Sequence, residues 1–311
     1  MRALLFLGLL LAGQASAVEV LATVKPLQLI ANAITQGGKP AGLLLPPGTS
    51  PHDYALKPSD LRRIKNADLV VWTGPELERF LEPLLAQRSS SLALMASLPH
   101  EHEHEHEHED HHAHDHHDND KIVIAQQEDD DHHGHDHGSR DPHIWLDPHN
   151  ALQIARLITA RLSELDPANL DRYQQNLTQF ESNLSEADHR VEARLAPARN
   201  KGYFVFHDAY GYWEEHYNIP SLGHFTISPE RAPGAQTVAG IHQALQQSSA
   251  ECVFAEPQFR PAVVNAVVRG TQARVAELDP LAGDIDESPE GYFHFMLKMA
   301  DDMAACLLNE R

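Results

Sequence analysis

The chain has 311 residues, enough for two lobes or one large domain, and its 42% apolar and 22% charged residues are an ordinary globular composition, which excludes wholesale disorder. The formal net charge of −21 is local: residues 100–137 hold 14 acidic side chains against one lysine, or −13, leaving −8 elsewhere. With no basic-aromatic patterning either, a surface that tracks nucleic-acid phosphates is excluded.

In chain order, Arg2, the apolar run 3–12 and then Ala15, Ser16 and Ala17 read as a signal peptide over residues 1–17, cleaved near Ala17. The run is about half of the roughly 20 residues that a spanning helix needs. No cysteine follows to take a lipid, so a soluble exported protein is expected. From Val18 onward short β-rich runs alternate with amphipathic ones, the pattern of α/β construction. Strands are predicted at 18–24, 42–45 and 68–73, with a short edge strand at 92–95, and helices at 26–35, 58–65 and 75–86.

The alternation then stops. Residues 100–137 hold 14 of the 23 histidines, in runs such as HEHEHEHED and DHHGHDHG, and read as a solvated, disordered loop. Only KIVIA, at 121–125, could pair transiently as a strand. HEHEH at 100–104 satisfies the letters of a zinc-protease motif, but a repetitive solvated run lacks the buried helix that chemistry needs. Weak multidentate metal capture is the expected role, because many imidazoles are unprotonated at neutral pH.

Helices are next predicted at 148–165 and, over an unusual length, at 168–195, where Leu170, Tyr173, Leu177, Phe180, Leu184, Ala187 and Val191 recur every three or four residues. Such a helix extends about 42 Å and can tie two lobes together. Strands follow at 203–206, 222–227, 252–255 and 273–278, and helices at 209–217, 235–247, 261–269 and 289–308. The expected division is 1–17 signal peptide, 18–165 N-terminal α/β lobe containing the loop 100–137, 168–198 linking helix, and 201–311 C-terminal α/β lobe.

Cys252 and Cys306 are the two cysteines. In an oxidising compartment they most simply form one disulfide, closing a loop whose entropy is worth roughly 4 kcal/mol; two buried free thiols are the alternative.

Nine of the 23 histidines lie outside the tract. His52 sits in a proline-glycine loop after the second strand, His207 at the carboxyl end of an apolar strand, and His143 where order resumes. Ligands of parallel α/β sheets bind beyond the carboxyl ends of the strands, so these three can converge, and three imidazoles favour zinc with a fourth position for a carboxylate or water. Asp279 ends a strand as His207 does, and is a candidate fourth ligand or supporting acceptor, or a turn cap. His224 sits on an alternating strand and can face the cleft, whereas His149, His189, His216 and His242 read as solvent-facing. The chain contains no G-x-G-x-x-G, no G-x-x-x-x-G-K-[ST] and no G-x-S-x-G, so it lacks the markers of nucleotide binding and of a serine elbow.

Together the segments LLPPGTSPHDYALKPSD, NADLVVWTGPELE, HIWLDPHNA, GYFVFHDAYGY, LGHFTISPE, CVFAEPQFRPAVV and AELDPL resemble the ZnuA type of zinc-specific solute-binding proteins of bacterial ATP-driven metal uptake. The likeness covers nearly the whole mature chain, and an acidic histidine tract is typical of the zinc members. The resemblance implies two α/β lobes with central sheets, joined by one long rigid helix, with the metal in the inter-lobe cleft. It implies His52, His143 and His207 as zinc ligands, Asp279 near the metal, His224 at a secondary site shared with the tract, and a Cys252–Cys306 disulfide. Manganese-type relatives place a glutamate at the position of His207. Some members carry a glutamate immediately before the first histidine, where this chain has Pro51. A non-enzymatic periplasmic monomer is expected, delivering Zn(II) to a membrane permease energised by a separate ATPase, with the tract as low-affinity collector or sensor. The rival expectations are an exported metal store and a zinc hydrolase using Asp279 or Glu256 as base.

Overall fold

The structure is a computed structural model and describes residues 18–98, 122–123, 140–226, 234–259 and 261–310. The signal peptide, its cleavage site and all of the histidine tract except 122–123 lie outside the described residues.

The first half builds β1 (Val20–Ala22), α1 (Lys25–Ile34), β2 (Gly42–Leu43), α2 (Pro58–Asn66), β3 (Leu69–Trp72), α3 (Glu82–Leu85), β4 (Ser91–Ala93) and α4 (Leu94–Ser97). The strands form an all-parallel sheet in the order β2-β1-β3-β4. Every residue of β1 and β3 is buried, because helices cover both faces of a parallel sheet and its strands read as unbroken apolar runs.

The expected helix 75–86 is not continuous: a turn leads into a 3-10 segment, Arg79–Leu81, and then α3. Glu78 breaks it, because its backbone leaves the helical region and its Oε2 turns back to accept the N–H groups of Thr73 (3.0 Å) and Gly74 (3.2 Å). Thr23 donates its hydroxyl to the same carboxyl. Pro83 then lacks the N–H that a continuing helix would use, and sits instead in the first turn of α3.

β5 (Ile122–Val123) follows, then α5 (Pro148–Leu165), α6 (Leu170–Leu195), β6 (Gly202–His207), α7 (Gly211–His216), β7 (Gly223–Thr226), α8 (Ala235–Gln247), β8 (Ala250–Ala255), α9 (Pro261–Val268), β9 (Arg274–Glu277) and α10 (Gly291–Leu307). The second sheet is also all parallel, in the order β5-β7-β6-β8-β9. Residues 122–123 of the KIVIA run therefore supply a paired strand, beside Gly223 and His224.

The fold is two parallel α/β lobes linked by α6, which is flanked by 3-10 turns at Pro167–Asn169 and Ala196–Ala198. Strand alternation sends Val20, Ala22, Leu69 and Val71 of the first sheet, and Tyr203, Val205, Cys252 and Phe254 of the second, into one shared core. The opposite faces form separate satellite cores. The buried stripe of α6, from Tyr173 to Leu195, and most of α10 belong to the shared core.

Polar bonds add to it. Asn176 on α6 donates to the carbonyls of Ile34 and Gln36, satisfying the end of α1. Trp145 donates to the Pro280 carbonyl at 2.8 Å, and Tyr292 of α10 to the Trp145 carbonyl at 2.7 Å. The disulfide Cys252–Cys306 ties β8 to the end of α10 across 54 residues. Among the described residues no helix is long and apolar enough to cross a membrane.

Candidate metal centre

Three chain segments deliver one imidazole each to the junction of the lobes. β2 runs into a turn closed by Thr49 N–H on the Pro46 carbonyl at 3.2 Å, with Gly48 at φ +75°, and His52 follows it. The turn passes close to Gly283, where a Cβ would sit 2.9 Å from an Asp279 oxygen. His143 stands just before the 3-10 turn Ile144–Leu146 that opens α5, and Asp141 Oδ1 accepts its backbone N–H at 2.9 Å. His207 is the last residue of β6, between β7 and β8 in the sheet.

The three rings have centroids 5.1 to 5.6 Å apart, and one nitrogen of each lies within 4.8 Å of the other two. His143 Nε2 and His207 Nε2 are 3.3 Å apart. Zn–N bonds near 2.0–2.1 Å at tetrahedral angles place neighbouring donors about 3.3 Å apart. The far nitrogens of these two rings are engaged by carboxylates: His143 Nδ1 lies 2.7 Å from Asp141 Oδ1, and His207 Nδ1 2.7 Å from Glu256 Oε1. That arrangement aims each Nε2 inward. His143 and His207 are each 3% exposed, and His52 Nε2 is buried with no hydrogen-bond partner among the described residues.

Burial, reinforced by His143 and His207, pushes His52 down to about 3 against a weaker opposing pull from Asp141, so its lone pair is available at neutral pH. Burial also raises the Glu256 carboxyl well above the usual carboxylate range, with Asp279 adding to the rise. Phe259 meets the His207 ring edge-on, and Trp145 meets that of His143. Three inward nitrogens in a nearly dry, aromatic-edged gap can hold a borderline divalent ion.

Asp279 is not in the converging set. Its Oδ1 accepts from Gln258 at 2.6 Å and from Leu281 N–H at 3.0 Å, and its Oδ2 from Gly283 N–H at 2.6 Å, so it fixes the loop beneath the gap. His224 is buried on β7, with Nδ1 3.5 Å from Asp208 Oδ1 and Nε2 without a partner among the described residues; it lies outside the trio.

His149 and His189 are exposed, but His242 and His216 are half-buried, against the expectation that both face solvent. His242 Nδ1 donates to the Val267 carbonyl at 2.8 Å, because α9 packs on its face of α8. His216 ends the six-residue α7 between Asp188 and Asp147.

Sequence reasoning missed the orienting roles of Asp141 and Glu256. The D-P-H spacing placed Asp141 within reach of His143, and Glu256 immediately follows β8, the strand next to that of His207, a neighbour relation visible only once sheet order is known.

Residues 20–306 match the family model for the periplasmic component A of the zinc-uptake complex, ZnuA. The chain is 43% identical over 309 residues to the high-affinity zinc uptake system protein ZnuA of Yersinia pestis, covering 98% of this chain and 97% of that one. A crystal structure of a ZnuA deletion mutant with zinc bound superposes with a TM-score of 0.67 at 25% identity, covering 92% of this chain and 98% of that one. The periplasmic zinc-binding protein TroA of Treponema pallidum gives 0.73 at 20% identity, covering 94% of this chain and 99% of that one, a likeness of fold.

Proposed function

We propose, since this chain belongs to the ZnuA family of periplasmic zinc-uptake components, that His52, His143 and His207 are the ligands of the zinc ion it carries. The chain is a zinc-binding solute-binding protein of ABC-type zinc uptake, not an enzyme, and its partners are zinc and an ABC transporter. The storage and hydrolase readings are not favoured by this membership.

The observation that carries the ligand assignment is the 3.3 Å approach of two carboxylate-backed Nε2 atoms, with the orphaned His52 Nε2 as third donor. Three nitrogen donors suit zinc better than manganese, which prefers oxygen. Pro51 supplies no carboxylate and Asp279 is committed to its loop, so a water molecule completes the tetrahedron. Asp279 acts from the second layer by fixing the loop 279–283. The core shared by both sheets and α6 opposes a wide hinge motion between the lobes.

The tract acts as a low-affinity collector beside this site. The described residues that flank it are tied by Arg140, which donates to the Met95 carbonyl at 3.2 Å, and β5 pairs with the strand that carries His224. His224 and tract imidazoles then form a secondary site. The mature chain begins at Val18, functions as a monomer, and hands zinc to a permease driven by a separate ATPase.

The test is competitive zinc titration of the mature protein, of His52→Ala, His143→Ala and His207→Ala, and of a tract deletion, with manganese as competitor. Each alanine variant should lose the tight site, and the deletion should lose only additional weak equivalents. Retention of tight zinc by any two of the alanine variants would overturn the assignment.

A further inference from the structure

We infer that Asp147, His149 and His216 form a second, more weakly binding site for a divalent transition cation of the zinc class, separate from the histidine trio. One donor atom of each lies within 4.8 Å of the other two. Asp147 Oδ1 is 3.3 Å from His149 Nδ1 and 3.6 Å from His216 Nδ1, close to the spacing of about 3.3 Å that a tetrahedral zinc ion imposes. The two imidazoles meet at 5.0 Å between centroids.

The site has the backing that metal-ligating imidazoles have. Asp188, on α6, lies 2.9 Å from His216 Nε2 and is itself held by the Tyr217 hydroxyl at 2.8 Å, which turns Nδ1 of His216 toward Asp147. Asp147 is nearly buried and caps α5 through Oδ1, which accepts the His149 N–H at 2.9 Å. All its side-chain contacts fall on that oxygen, leaving Oδ2 without a protein partner among the described residues. His149 is 74% exposed and free to adjust to an ion, while the 3.6 Å separation of Asp147 Oδ1 and His216 Nδ1 is the one that must shorten by a few tenths of an ångström. Two nitrogens and one carboxylate oxygen select zinc, nickel or copper over magnesium or calcium.

The position gives an ion there a structural consequence. Asp147 and His149 open α5, just past the turn that follows His143, while His216 ends α7, the helix after the strand that carries His207. An ion in this cluster cross-links the two segments that hold two of the three inner imidazoles.

The test uses the full mature chain, crystallised with graded zinc and read by anomalous scattering at the zinc edge. A second peak among Asp147, His149 and His216 is expected after the trio fills, absent in His149→Ala while the trio peak persists. In solution, His207→Ala should still gain melting temperature with zinc, and this gain should be lost in His207→Ala/His149→Ala. No peak at the cluster in millimolar zinc with the trio full, or a peak there unchanged in His149→Ala, overturns the proposal, as does an equal zinc-induced shift in the single and double variants.

Discussion

The two clusters share a short turn, since His143 stands immediately before Ile144–Leu146 and Asp147 immediately after it, and both hold three donors within 4.8 Å. They differ in water. In the trio two rings are buried and His52 is half-buried, two rings are fixed by carboxylates, and the Nε2 atoms of His143 and His207 face each other at 3.3 Å. In the second cluster one ring is 74% exposed and only His216 has a carboxylate behind it. The same residue types thus make a preorganised site where the lobes exclude solvent, and an adaptable one where they do not. On the two proposals above, an ion at the trio would find two rings already oriented, whereas an ion at the second cluster would have to order the exposed His149.

The largest expected effect comes from removing a trio imidazole: His143→Ala or His207→Ala should raise the zinc Kd about a thousandfold or more, some 4 kcal/mol, measured by chelator competition. A smaller loss would mean that the dry site is no better built than the wet one.

Glu78 gives a control in which burial acts without an imidazole. Desolvation raises its carboxyl to about 7, above its value when unfolded, so its stabilising contribution is complete below about pH 4.5 and is lost as pH rises toward 7. The wild type should therefore lose about 3 kcal/mol relative to Glu78→Gln over that range in urea unfolding, with zinc affinity unchanged.

Glu256→Gln leaves His207 in place but weakens its orientation, and should cost about 10- to 100-fold in zinc affinity. An effect below twofold would show that burial alone makes the site.

Acidification from pH 7.5 to 5 should weaken zinc binding, because protons compete for the ligand imidazoles. His52, held near 3, contributes none of this competition, so His52→Ala should leave the pH slope of whatever binding remains nearly intact. The smallest effect belongs to the wet cluster: His149→Ala should change the tight Kd by less than about twofold.

Much of the fold could be read along the chain. The strand LVVW and the run YFVF are continuously apolar because both faces of a parallel sheet are covered. α5 spans its expected 148–165, since Asp147 and Pro148 mark its start locally. The stretch 75–86 was not legible, because the carboxyl that breaks it, Glu78, is held by Thr23, 55 residues away. At the site, strand-end position and resemblance singled out His52, His143 and His207, but nothing local distinguished His216 from His149, and the role of Glu256 depends on β8 lying beside β6.

What the sequence determined by itself was periodicity, punctuation and residue chemistry: two rounds of strand and helix, a long apolar-striped connector, and histidines at loop and strand ends. These are properties of neighbours a few positions apart, set by backbone geometry and the side chains' affinity for water. Only the tertiary structure decided that three distant rings meet, which carboxylates stand behind them, and which of two similar clusters is dry. Those depend on the shared core bringing the lobes together, and desolvation is a property of everything packed around an atom rather than of its neighbours along the chain.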